Sequence, residues 1–315
     1  MSDPIPEKDA VERMQPSLTP GARAWRRFRA NRPAVVAAAY LAFLILLALL
    51  VPALGSHAAA EGSDAQFAAP GSAHWWGTDV HGRDVLTRVF AGARLSLLVG
   101  SVGAAVSLVI GVCWGMVAGY AGGRIDGMMM RFVDVLYSLP SIVFVIVLIT
   151  TLEDHLKGLL SRLSPQSGGV ARMLFLFVGL GAVSWLTMAR IIRGQVLSLR
   201  TRPFVLASRS LGAGHARILF RHILPNVSGV VIVYLTLTVP SIILYESFLS
   251  YLGLGIQPPQ ASLGTLIAEG AGQINPIRTY WWLIAFPGGV LASALLALNL
   301  LGDGLRDALD PRGGE

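Results

Sequence analysis

The chain of 315 residues is 54% hydrophobic and only 14% charged, with a mean hydropathy of +0.62 and a formal net charge of +7. A soluble domain carries about 25% charge, so an ordinary soluble globule is excluded and an integral membrane protein is indicated. The positive charges sit beside apolar runs, which fits membrane orientation and argues against nucleic acid as a partner.

In chain order, residues 1–33 form a polar tail whose end is crowded by Arg23, Arg26, Arg27, Arg29 and Arg32, as expected for a cytoplasmic segment. Ala34 to Leu54 is uncharged and long enough for a first span. The rest of 34–94 is a periplasmic loop with Trp75 and Trp76 as interface anchors. His74, Asp79, His81 and Asp84 are metal-ligand types. A capped turn through Asp79, Gly82 and Asp84 leading into a helix accounts for them better, so no metal site is assigned. Residues 95–302 form the transmembrane core. Span 2 is Leu95 to Tyr120, where Gly111, Gly115 and Gly119 share one face and permit close helix approach.

Span 3, Met128 to Leu152, carries Arg131 and Asp134 one turn apart, an expected local pair and candidate gate, with Pro140 as a kink. Glu153 to Gly169 is an outer loop. Val170 to Met188 is span 4, Val227 to Leu252 is span 5 and Trp281 to Leu301 is span 6. In span 5, Glu246 is an intramembrane acid beside Tyr245, Ser247 and Ser250. It is either part of a translocation path or a bond between helices. Residues 303–315 form a cytoplasmic tail. The fold class is therefore all-α integral membrane, with six spans and both ends inside. That topology leaves 18 of the 25 Lys and Arg inside and seven outside.

Between spans 4 and 5 lies a polar stretch, 199–226, with five arginines and no acid. Thr201 is positioned to cap a helix with Pro203 in its first turn; Gly212 and Gly214 permit a bend; Pro225 is expected to stop a second short helix. The stretch resembles the cytoplasmic EAA loop of ABC-importer permeases. Leu206, Ala207 and Ser208 stand at the E-A-A positions, Gly212 at the glycine, His222 at the isoleucine, and Leu224 and Pro225 at the closing Leu-Pro. Trp76 to Gly100 resembles the G-T-D-x-x-G-R-D-V-L-S-R motif of the dipeptide, oligopeptide and nickel branch. Gly253 to Pro259, Leu266 to Gly270 and Asn299 to Arg312 are similar to further blocks of that branch.

The resemblance implies a helix-turn-helix coupling loop carried by Pro203, Phe204, Leu206, Ala207, Ser208, Gly212, Ala213, Arg217, Leu224 and Pro225. It implies a second homologous permease, two ATPase subunits that hold ATP and Mg, an extracytoplasmic substrate-binding protein, and residence in the bacterial inner membrane. Peptides are the implied cargo. The chain itself has no phosphate-binding G-x-x-x-x-G-K-[ST] motif, since its only lysines are Lys8 and Lys157. No enzyme activity and no cofactor are expected of it. From the residues alone, the alternative is an ion-coupled carrier or channel using Asp134 and Glu246.

Overall fold

The computed structural model describes residues 19–54, 59, 61–140, 142–147, 150–151, 168–258 and 260–309. The far end of span 3, most of the 153–169 loop, the first 18 residues and the last six lie outside them. All regular structure among the described residues is helical, apart from one isolated bridge between Thr78 and Asp84.

Helix α1 is Pro20–Ala30, with the Thr19 hydroxyl accepting from the Ala22 N–H. Asn31 breaks it and caps α2, Arg32–Leu54, by accepting from the Ala34 N–H. Ala34, Ala37, Leu41, Leu44 and Ala48 form the buried seam of α2, while Phe43, Leu46 and Leu49 stay exposed. A helix apolar all round is what a lipid-facing span requires.

Helix α3, Val85–Ala121, is 37 residues long. It starts ten residues before the expected span because Asp84 caps it, accepting from the Thr87 N–H at 2.9 Å. Gly122 and Gly123 follow with φ of +66° and +56°, a left-handed reversal that L side chains resist. Helix α4, Gly123–Tyr137, ends where span 3 was expected to continue. The backbone leaves the helix at Ser138 and Leu139, and a helical turn resumes over 142–147, with Phe144 N–H bonded to Pro140 O. Pro140 lacks the N–H that would bond backward, so it opens a new segment instead of bending one.

Helix α5, Gly168–Leu199, runs past the expected end of span 4, and α6, Pro203–Ser210, follows. Arg202 is its cap residue and makes no side-chain cap bond; the Thr201 hydroxyl donates backward to Ser198 O instead. After a turn at Gly212, φ +79°, helix α7 runs unbroken over His215–Tyr251. Pro225 does not stop it. A π-helical stretch, Ile218–Ile223, precedes the proline, and Leu224 N–H reaches back to Leu219 O. That shift rearranges the bonding where the proline removes a donor. The Asn226 side-chain amide donates to His222 O at 2.6 Å. Helix α8, Leu263–Ala271, and α9, Trp282–Leu309, complete the described chain. Among the described residues four helices, α2, α3, α7 and α9, are long and apolar enough to cross a membrane.

α3 is the central element. Its most extensive neighbour is α5, and α2, α7, α8 and α9 also pack on it. The crossing with α5 is held close by glycines. A Cβ on Gly111 would lie 2.6 Å from Met188 Cβ, one on Gly115 2.5 Å from Ala189 O, and one on Gly119 2.8 Å from Arg193 O. Gly115→Ala should therefore destabilise the protein by about 1–3 kcal/mol, the usual cost of overpacking. Gly194→Ala, where nothing lies within 4 Å, should be neutral or slightly stabilising. Thermal unfolding of the detergent-solubilised proteins compares the two.

Candidate functional site: a hydroxyl-lined cavity and a basic, apolar loop

Tyr137 at the end of α4, Ser184 and Thr187 on α5, and Tyr234, Thr238, Ser241 and Tyr245 on α7 line a cavity of about 280 Å³. Ser184 donates its proton to Leu180 O, Thr238 to Tyr234 O and Ser241 to Leu237 O. Each hydroxyl oxygen then keeps lone pairs free as an acceptor. The lining carries no formal charge. It offers neutral acceptors from the two long helices and three phenol groups.

Tyr245 and Glu246, neighbours in sequence, are separated by the helical turn. Tyr245 faces the cavity, whereas Glu246 is wholly buried away from it. Its Oε1 accepts from Ser250 at 2.6 Å and its Oε2 from Ser96 of α3 at 3.4 Å. Ser96 in turn accepts from the Leu263 N–H at the start of α8. The acid thus links α3, α7 and α8 through hydroxyls. Ser96 and α8 were missed in the sequence. The signal was the Ser262-x-x-Thr265 spacing, which forms a reciprocal cap.

Asp134 does not pair with Arg131. Its ion pair, 2.7 Å long, is with Arg190 of α5, whose guanidinium also lies 4.0 Å from the centroid of the Tyr137 ring. Arg131 is exposed and makes no ion pair among the described residues. It shares a helix with Asp134, three residues before it, but Arg190 approaches from a second helix. A further pair joins the same two helices: Arg193 donates to both oxygens of the buried Asp126, at 2.6 and 2.7 Å. Neither arginine was singled out for pairing, because the contact spans 56 to 67 residues.

At the opposite end of the bundle, the 61–84 loop is fastened by charge. Asp79 accepts from the N–H groups of His81 and Arg83, from the Arg83 side chain and from Arg88. Arg88 also forks onto Glu269 of α8 at 2.7 and 3.1 Å. Burial disfavours the charged form of Asp79. The Arg83 N–H, the Arg88 charge, the His81 N–H and the Arg83 charge outweigh it and hold the carboxyl below its ordinary value. His74 lies 3.0 Å from Asp84, so these acids serve the turn and the cap. Trp75 is exposed, whereas the half-buried Trp76 packs between Phe90 and Phe286.

The 203–225 loop presents two faces. Val205, Ile218 and Ile223 are buried against Met188, Ile192 and Val196 of α5, with Ala213 and Leu224 beside them. Phe204, Leu206, Leu211 and Phe220 are exposed, as are Ala207, Arg217 and Pro225. Ser208 and His222 bond across the loop at 3.1 Å, and His215 bonds Tyr120 of α3 at 2.9 Å. The exposed apolar side chains thus share the loop with the exposed Arg202, Arg209, Arg217 and Arg221.

Residues 111–313, which include the cavity and the loop, match the family model described as binding-protein-dependent transport system inner membrane component. The chain belongs to that family. Residues 19–70 match the N-terminal TM domain of oligopeptide transport permease C. The dipeptide transport system permease protein DppC of Bacillus subtilis (strain 168) is 43% identical, covering 97% of this chain and 89% of that protein. The oligopeptide transport system permease protein OppC of the same organism is 40% identical, over 96% and 93%. OppC of Escherichia coli (strain K12) is 44% identical, over 91% and 89%.

Asp79→Asn should destabilise the protein by about 1.5–3 kcal/mol at neutral pH, since Arg88 would keep only Glu269. A lowered carboxyl value contributes stability above the ordinary carboxylate range and loses it as pH falls below that range. The gap between wild type and variant should therefore narrow under acid, as read by unfolding midpoints across pH.

Proposed function

We propose that this chain is one of two permease subunits of a bacterial ATP-driven peptide importer, and that the hydroxyl-lined cavity is its share of the translocation path. The family membership supports the class, and the names of the relatives support dipeptides or oligopeptides as cargo. One observation carries the path assignment: a neutral wall rich in hydrogen-bond acceptors lies between the long helices α5 and α7. Peptide N–H groups and an N-terminal ammonium find acceptors there, while no fixed charge selects among side chains. An ion-coupled carrier would instead place an acid in that wall, and Glu246 lies elsewhere.

In this reading the chain crosses the inner membrane six times, with both ends in the cytoplasm. The spans are α2, α3, α4 with the segment after it, α5, α7 and α9. The Arg88–Glu269 end faces the periplasm and receives a substrate-binding protein. A second homologous permease closes the open side of the cavity. The exposed apolar patch of the 203–225 loop docks an ATPase subunit, where ATP and Mg are held. Leu206 stands where the motif has an acid, and its exposure beside Phe204 suits apolar docking. Because Tyr120 and the buried face of the loop tie it to α3 and α5, movement of the loop reaches the cavity walls. The chain performs no covalent chemistry.

Two substitutions test the two assignments separately. Gly212→Val puts a β-branched residue at φ +79°, which strains the turn. The ATPase subunit should be lost from the purified complex, while a retained partner with normal transport would refute the docking role. Thr238→Trp fills the cavity, and should cut ATP-driven tripeptide uptake at least tenfold with the ATPase still bound. Unchanged uptake would remove the cavity from the path.

A further inference from the structure

The geometry points to the Asp134–Arg190 pair as a latch that closes the cavity at its arginine-rich end, with the Asp126–Arg193 pair as the pivot on which α4 turns. This rests on the reading of the cavity as the path.

The two ion pairs join the same helices but differ in kind. Asp126 is buried and both its oxygens are taken by one guanidinium, at 2.6 and 2.7 Å. Such a fork fixes direction as well as distance. Asp134 and Arg190 share a single contact at 2.7 Å, and their side chains are 63% and 39% exposed. With one contact against the fork's two, this pair opens more readily than the Asp126–Arg193 pair. The pivot and the latch lie eight residues apart on α4, roughly 12 Å at 1.5 Å per residue.

Arg190 holds two things at once. It pairs with Asp134, and its guanidinium covers the ring of Tyr137, which lines the cavity. Asp134 and Tyr137 lie one turn apart on α4, so release of Arg190 frees the acid and the cavity wall together. Both ends of α4 are joints. Gly122 and Gly123 precede it in left-handed conformations, and the backbone leaves the helix at Ser138 and Leu139. The helix can therefore turn without bending. Between pivot and latch, Met130 and Val133 pack on Trp185, Leu186 and Ala189. Apolar contact of this kind is non-directional and tolerates a small shear.

The test uses the whole assembly in proteoliposomes loaded with a labelled tripeptide. Efflux without nucleotide and ATP hydrolysis without binding protein are the readouts. Asp134→Asn and Arg190→Gln should each raise both at least threefold, and the double swap Asp134→Arg with Arg190→Asp should bring both back toward wild type. Arg190→Lys keeps the charge and loses the planar cover on Tyr137, so it should leak less than Arg190→Gln; this variant also serves if the neutral ones fail to assemble. Normal tightness in assembled Asp134→Asn and Arg190→Gln, or a charge swap as leaky as the singles, would overturn the latch. Thr238→Trp separates the two claims. If it blocks uptake while the latch variants stay tight, only the latch is lost; if it leaves uptake intact, the path reading fails first.

Discussion

The close crossing of α3 and α5 is the constraint on which the other features depend. Three glycines on α3, Gly111, Gly115 and Gly119, and Gly181 on α5 let the backbones approach to distances at which a methyl group would collide. In a bilayer, lipid tails are as apolar as leucine, so helices gain little from hiding apolar surface and associate through close packing instead. With α5 pressed on α3, its other face meets α4 and α7. The cavity occupies the space that face leaves. Arg190 and Arg193 emerge from the same helix at the height of Asp134 and Asp126.

Charge is used sparingly and in graded strength. The Arg88 cluster, buried and shared by two acids, fixes the 61–84 loop to α8. The Asp126–Arg193 fork fixes α4 to α5. Leaving any member of these unpaired inside a protein is costly, which makes them permanent fixtures. The Asp134–Arg190 pair rests on a single contact and is the easier to break. Glu246 is satisfied by hydroxyls alone, and it serves as a junction among three helices.

Much of this was legible in the sequence. The apolar runs located α2 and the start of α9 to within two residues, although α9 runs eight residues past Leu301, and the Gly111, Gly115, Gly119 spacing announced a packing face. The Asp79–Asp84 motif read as a capped turn, and so it is. What failed was local inference about proline and about partners. Pro140 was read as a kink in one helix and Pro225 as a stop. The first separates two helical segments; the second sits within a continuous helix, because the π stretch before it accommodates the missing donor. Sequence proximity suggested Arg131 for Asp134, yet the structure supplies Arg190 from 56 residues away. Likewise the Asp79 motif and Glu269 looked like separate blocks, and only the fold brings them onto one arginine.

The most direct test of the account is the sidedness of the cavity. A single cysteine would replace Thr238, with the exposed Cys113 changed to Ser. A membrane-impermeant thiol reagent would be applied from each face of proteoliposomes holding the complete assembly. The account predicts labelling from one face without nucleotide and from the other face when the ATPase is trapped with nucleotide and vanadate. Labelling from the same face in both states, or from neither, would contradict it.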